Sequence, residues 1–237
     1  MLKANTNITS KTDFLEGQVL LFNKPLGWSS FDVVKKARNI IKSAKNIRKI
    51  KVGHAGTLDP LADGLLIVCS GKFTKRIDEI QGQIKVYTGE ITLGATTPSY
   101  DKETEVDETF DTSDITEEMI HSTCEKFEGK IMQKPPIYSA LKREGKRLYQ
   151  HAREGTKVKI EAREVEIKSF KITSIEMPKL TFEVICSKGT YIRSLAYDYG
   201  KLLNNGAHLS KLRRDKIGNF SLEDAITIDF FQENILK

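Results

Sequence analysis

The chain has 237 residues, 39% hydrophobic and 30% charged, which is enough apolar material for a substantial core in one large domain or two small ones. No apolar run approaches bilayer-spanning length and the first seventeen residues lack a signal-type apolar stretch, so a cytoplasmic protein is expected. The net charge of +6 is unevenly spread, with eight Lys and Arg and no acid from Val33 to Leu58, a second basic stretch from Lys142 to Arg163, and an acidic one from Asp101 to Glu118. Blocks of one sign suit a surface that meets phosphates, and nucleic acid fits better than a membrane because neither basic stretch carries aromatics on an apolar side.

The elements follow in chain order. Residues 1–16 read as a flexible arm, and one domain covers the rest, 17–237. Gln18–Phe22 predicts a buried strand, closed by Asn23-Lys24-Pro25 and Gly27. Ser29 or Ser30 can cap a helix from Phe31 to about Ser43, with Phe31, Val34, Ala37 and Ile41 on one face. A loop dense in small residues follows, Gly53-His-Ala-Gly-Thr-Leu-Asp-Pro-Leu-Ala-Asp-Gly64, in which Asp63-Gly64 is a turn signal. Leu65–Cys69 predicts a short buried strand and Thr74–Ile80 a helix. Lys85–Leu93 alternates, with Tyr87, Gly89, Ile91 and Leu93 on one strand face. Helices are expected near Thr116–Phe127, Leu148–Glu154 and Tyr191–Leu203, a turn at Pro135-Pro136, and strands near Glu164–Ile175 and Leu180–Ser187. This mixed order predicts an α+β fold with a mixed or antiparallel sheet.

Three cysteines, Cys69, Cys124 and Cys186, are far apart and flanked by apolar residues, as buried inert thiols are. The four histidines show no ligand spacing, and no glycine-rich phosphate loop is present, so no metal and no cofactor are expected.

A few residues stand out. Asp59 precedes Pro60, which disfavours a helical backbone, and Gly53, Gly56 and Gly64 let a substrate or another backbone come close; an ordinary Asp-Pro turn has the same look. Arg193 falls in the first turn of a helix, where a cation opposes the macrodipole; it is either exposed or buried against an anion, which Asp59 could supply. Tyr87 and Tyr191 read as core residues or as pocket residues with a hydroxyl to place. His54 reads as a loop histidine.

Together these residues resemble a family. Gly53–Gly64 is similar to the signature loop of TruB-type pseudouridine synthases. So, in the same order, are Asn23-Lys-Pro-Leu-Gly-Trp-Ser-Ser30, then Lys85-Val-Tyr87 with Leu93-Gly-Ala-Thr96 and Asp101, then Pro135-Pro-Ile-Tyr-Ser-Ala-Leu-Lys142 with Gly145, and Gly189-Thr-Tyr-Ile-Arg-Ser-Leu195. The resemblance runs from about Gly17 to Gly218 and implies the pseudouridine synthase core, a mixed, largely antiparallel central sheet with flanking helices. It implies isomerisation of uridine 55 in the T loop of tRNA after base flipping, with no metal, cofactor or guide RNA, and a monomer is the simplest state. It makes Asp59 the catalytic carboxylate, Tyr87 the residue that stacks on the target base and a candidate proton acceptor, and Arg193 the cation paired with the aspartate. Lys24 and Tyr191 support the pocket, His54 fills the space that flipped bases leave, and Gly56 and Leu58 belong to the substrate-binding loop. Gly27-Trp28-Ser29-Ser30 departs from the commoner Gly-x-Thr-Ser, and the seventeen residues after Phe220 are too few for the PUA-type domain of many relatives. Two rivals are a non-catalytic tRNA-binding protein on the same scaffold and a small-molecule glycosidase built on Asp59 and Asp63.

Overall fold

A computed structural model describes residues 8–139, 141–143, 145–156 and 158–235, without the side chains of 142 and 143. The expected arm therefore lies outside the described residues in its first seven positions, as do Ala140 and the Lys142 side chain of the Pro135–Lys142 segment.

In chain order the elements are β1 (Val19–Lys24), α1 (Ser30–Ala44), β2 (Val52–His54), β3 (Ala62–Ser70), a 3-10 turn (Gly71–Arg76), α2 (Ile77–Gln81), β4 (Lys85–Leu93), β5 (Ala95–Thr96) and β6 (Glu108–Thr109). Then come α3 (Glu117–Glu125), β7 (Gly129–Gln133), β8 (Lys142–Arg143), β9 (Lys146–Arg147), α4 (Leu148–Arg153), β10 (Arg163–Glu176), β11 (Lys179–Cys186), α5 (Ile192–Leu202), β12 (Ala207–Ile217), β13 (Phe220–Ser221) and α6 (Ile228–Asn234). The chain divides into two compact units, Met1–Tyr87 with Leu212–Lys237, and Thr88–Lys211.

In the first unit β1 and β2 pair antiparallel with β3, β13 pairs antiparallel with β12, and β12 runs parallel to β3 through Leu212↔Ala62 to Arg214↔Gly64. The protein is α+β with a mixed sheet, as expected. β1 and β3 are covered on both faces. Leu20, Phe22, Leu66 and Val68 pack with Val33, Val34, Ala37 and Ile41 of α1 and Phe231 of α6. Val19, Leu21, Leu65, Ile67 and Cys69 pack with Ile80, Ile217 and Phe220. A strand buried on both faces needs an unbroken apolar run, which is why neither alternates. Ser29 is the cap of α1: its Oγ accepts from the Asp32 N–H, and the Asp32 carboxylate accepts from the Ser29 N–H at 2.9 Å.

Two expectations need correction here. Asp63-Gly64 is not a turn but the start of β3, at φ +99 for Gly64, where a Cβ would stand 2.5 Å from the Arg214 carbonyl oxygen. The glycine serves close approach of two backbones, which overrides its turn preference. Gly64→Ala is therefore expected to lower stability by about 2–3 kcal/mol in a urea unfolding titration. The described part of the expected arm is also anchored to the core at two points: Ile8 and Phe14 are buried, and the Phe14 ring meets Phe231 edge-on at 6.1 Å.

In the second unit the strand order is β12, β4, β11, β10, β7. β10 and β11 form the expected late hairpin, with register shifts near Ser169 and Ser174 that break the alternation of the long strand. Phe127, Phe170, Phe182 and Tyr199 pack edge-on or tilted around α3 and α5, and the Tyr199 hydroxyl donates to Ile120 C=O at 2.8 Å. All three cysteines are buried, and burial raises the Cys69 and Cys124 thiols to about 11, which keeps them protonated.

Candidate active site

Asp59 is half-buried in the loop between β2 and β3. The backbone on either side of it is tied down. Upstream, the Leu58 N–H donates to Ser30 Oγ at 2.8 Å, and that hydroxyl donates to Leu58 C=O at 3.0 Å. Downstream, the Gly27 N–H donates to Pro60 C=O at 2.8 Å and the Ala62 N–H to Asp59 C=O at 3.0 Å. The Ser30 hydroxyl, retained in the departure from Gly-x-Thr-Ser, thus serves to hold the residue before Asp59.

Arg214 completes the arrangement. This β12 residue is 1% exposed. Its Nε donates to Leu65 C=O at 2.8 Å, Nη2 to Gly56 C=O at 3.1 Å and Nη1 to Thr57 C=O at 3.4 Å. One rigid guanidinium therefore spans both arms of the Asp59 loop, which an ammonium could not do. Gly56 has φ +102, a conformation that favours glycine. Arg214 was missed in the sequence, where it sits in a polar, basic stretch. The signal that could have found it is the loop itself: buried carbonyls in a glycine-dense turn need a donor from somewhere.

Lys24, at the end of β1, has no exposed surface. Its Nζ donates to Trp28 C=O at 2.6 Å and Pro25 C=O at 3.0 Å. Burial lowers its pKa to about 8, against the opposing pull of the Asp63 and Asp59 carboxylates. The folded pKa lies below the unfolded one, so between about pH 8 and 10.5 the unfolded chain holds the extra proton and stability rises with pH. Below about 8 the folded state carries the full desolvation cost. Urea titrations at pH 7, 8, 9 and 10 are expected to show that rise in the wild type and a flatter profile in Lys24→Met.

His54, on β2, is half-buried, and its pKa is lowered by burial first and by the Arg214 charge second, which favours the neutral imidazole. Tyr87 is 9% exposed on β4. Lys24, His54, Gly56, Leu58, Asp59 and Tyr87 all belong to the first unit, and the first five share one set of loops and strand ends.

Arg193 and Tyr191 belong to the second unit. Arg193 is 4% exposed in the first turn of α5, and it does have an anion there: its Nε is 3.5 Å from Asp101 Oδ2. Its Nη1 donates to Ser99 C=O at 3.3 Å and its Nη2 to Tyr138 C=O at 2.9 Å. Asp101 offsets the unfavourable end of the helix dipole. Tyr191 is held through its backbone by Gln133, which donates to its carbonyl at 3.0 Å and accepts from its N–H at 2.8 Å. The Arg163 guanidinium lies 5.0 Å from the Tyr191 ring centroid. Gln133 and Arg163 carried no signal in the sequence, since both act on a backbone or ring far away in the chain.

The family model of the TruB family pseudouridylate synthase N-terminal domain matches residues 42–192. The chain belongs to the TruB family of pseudouridylate synthases. A protein of Flavobacterium johnsoniae named tRNA pseudouridine synthase B is 56% identical over 224 residues, covering 94% of this chain and 98% of its own. One of Phocaeicola vulgatus with the same name is 48% identical over 221 residues, covering 93% and 94%. Among solved structures, a Cbf5-Nop10-Gar1 complex contains a chain that is 27% identical at a TM-score of 0.66. The match covers 97% of this chain and 61% of that one. A chain of the archaeal box H/ACA sRNP Nop10-Cbf5 complex has a TM-score of 0.67 at 24% identity, a likeness of fold, and this chain spans 60% of its length.

Proposed function

We propose that this TruB-family enzyme converts uridine 55 in the T loop of tRNA to pseudouridine, with Asp59 as its catalytic carboxylate. The observation that carries the reading is the Asp59 loop: a half-exposed carboxylate on a backbone held from three sides, by Ser30, Gly27 and Arg214. That the curated relatives are named for tRNA supports the substrate.

In this reaction the bond from N1 of uracil to the ribose breaks, the base turns, and C5 bonds to the sugar carbon while its hydrogen leaves as a proton and N1 gains one. A carboxylate can act as a nucleophile or stabilise positive charge at the sugar, as in glycosidases. The target lies inside a folded loop, so the nucleotide has to be extruded first. On the family resemblance, Tyr87 stacks on that base and is a candidate acceptor of the C5 proton, and Arg193 takes the arginine position of the family's motif, with Asp101 as its carboxylate neighbour within the second unit. Lys24 supports the pocket, His54 fills the space left in the RNA, and Gly56 and Leu58 shape the loop. The enzyme acts as a monomer on the T arm without a guide RNA.

The test is tritium release. Uridine labelled at C5 in a T-arm hairpin and in whole tRNA is expected to lose tritium to water with wild-type protein alone, at the T-loop position. No release by folded protein that still binds tRNA would leave a binding protein on this scaffold as the better account.

A further inference from the structure

Helix α1 has two faces. Val33, Val34, Ala37 and Ile41 are buried against the sheet. Phe31, Lys35, Arg38 and Lys42 recur at helical spacing on the other side, preceded by Trp28 in the loop before the cap. Phe31 is 60% exposed and Trp28 36%. The Arg38 guanidinium stands 5.9 Å from the Phe31 ring centroid. Asp32 is the helix's one acid, and the cap holds its carboxylate. Among the described residues no carboxylate lies within ion-pair distance of Lys35, Arg38 or Lys42.

We propose that this outer face, from Trp28 through Phe31, Lys35 and Arg38 to Lys42, is an RNA-docking surface beside the reactive nucleotide. The proposal rests on the tRNA reading above and says where that substrate is gripped. A helix face that is merely solvated mixes charge signs, with opposite charges three or four residues apart. Here like charges stand at those spacings, a repulsion of about 0.2–0.5 kcal/mol per pair in the free protein that a polyanion would relieve. A lipid surface is a poor occupant, because it would need the apolar face that the core already covers. RNA suits the mixture: cations meet phosphates, while an exposed aromatic and a guanidinium stack on bases and riboses. Position agrees with composition. Ser30, between Trp28 and Phe31 in sequence, is hydrogen-bonded to Leu58, next to Asp59. RNA engaged at Asp59 would meet Trp28 and Phe31 first and then, over about 16 Å of helix, the three cations.

The protein carries its own probe, since Trp28 is the sole tryptophan. Titrating the full chain with a T-arm hairpin is expected to quench its fluorescence saturably, with a midpoint that matches anisotropy of labelled RNA. Lys35→Ala/Lys42→Ala is expected to raise KM for the hairpin about tenfold at low salt with kcat within twofold. The slope of log affinity against log salt should fall by about 1.5–2. Lys168→Ala/Lys171→Ala, the same charge removed from β10, is expected to leave that slope unchanged. A silent Trp28 while anisotropy shows RNA bound, or a Lys35/Lys42 variant with wild-type KM and slope, would overturn the proposal. Equal quenching by polyglutamate would overturn it in favour of an acidic protein partner. If wild type released no tritium, the proposed reaction would fail, while the fluorescence and salt slope would still decide the docking face.

Discussion

Asp59→Asn is expected to reduce tritium release from the C5-labelled T-arm substrate by about 10⁴-fold, with little change in stability or RNA affinity. The substitution keeps the size and planarity of the side chain and removes its negative charge, so it separates charge from shape. The shape of the loop has other supports. Leu58 is fixed by Ser30, Pro60 by Gly27, and Gly56 and Thr57 by Arg214, all through backbone atoms. An amide at 59 should therefore leave the loop standing and remove only the chemistry. Removing a carboxylate also lightens the local negative charge that faces Lys24, so the Lys24 pKa should fall further below about 8. A variant that retained more than a tenth of the wild-type rate would remove Asp59 from the chemistry; one that lost RNA binding as well would point to the loop's architecture rather than its charge.

The fold was legible wherever burial and hydrophobic pattern coincide. α1 shows its cap and most of its periodicity, with Phe31, expected on the buried face, exposed instead, and β4 is bounded as predicted because turn residues flank a clear alternation. β12 was missed because its inward positions include His208 and Arg214, both buried, so no hydrophobic period marks an eleven-residue strand. The same strand explains the misread Asp63-Gly64 pair. Only with β12 lying parallel to β3 does Gly64 need the room that its missing Cβ gives, and local sequence cannot announce a partner 150 residues away. The candidate site divides likewise. Asp59 among glycines before a proline looked locally like an ordinary Asp-Pro turn, and only the family resemblance, carried by several segments in order, singled it out and gave it a role. The groups that hold it in place, Ser30 and Arg214, act on backbone carbonyls and amides, and such contacts leave no trace in residue spacing. The Arg193 neighbourhood repeats the pattern: the arginine was visible, while Asp101, its carboxylate partner within the second unit, stood in the quoted motif without a role.

Arg214→Leu is expected to be the most damaging single change outside the reactive groups, lowering stability by about 3–5 kcal/mol and activity by at least about 100-fold. Leucine fills part of the volume but donates nothing, so the carbonyls of Gly56, Thr57 and Leu65 lose their guanidinium donors, those of Gly56 and Leu65 in a place where water has little access. Each unsatisfied buried carbonyl costs about 1–3 kcal/mol, and relaxation of the loop recovers part of the sum. That relaxation is what harms function, because it moves the backbone leading into Asp59, and a displacement of about 1 Å can cost 10²-fold in rate. Arg214→Lys should restore the charge and little else, since one ammonium cannot reach three carbonyls that a planar fork spans. The two variants also differ at His54. The Arg214 charge helps to hold that imidazole's pKa below its usual value, so in Arg214→Leu it should rise, whereas in Arg214→Lys it should stay nearer the wild type. Urea unfolding, single-turnover tritium release and a histidine NMR titration on the three proteins would measure these effects separately. A Lys variant that matched wild type in stability and rate would show that the charge alone suffices and that the fork geometry is incidental. A Lys variant as crippled as Leu, with a normal His54 titration, would show that positioning of the Asp59 loop depends on the three hydrogen bonds together.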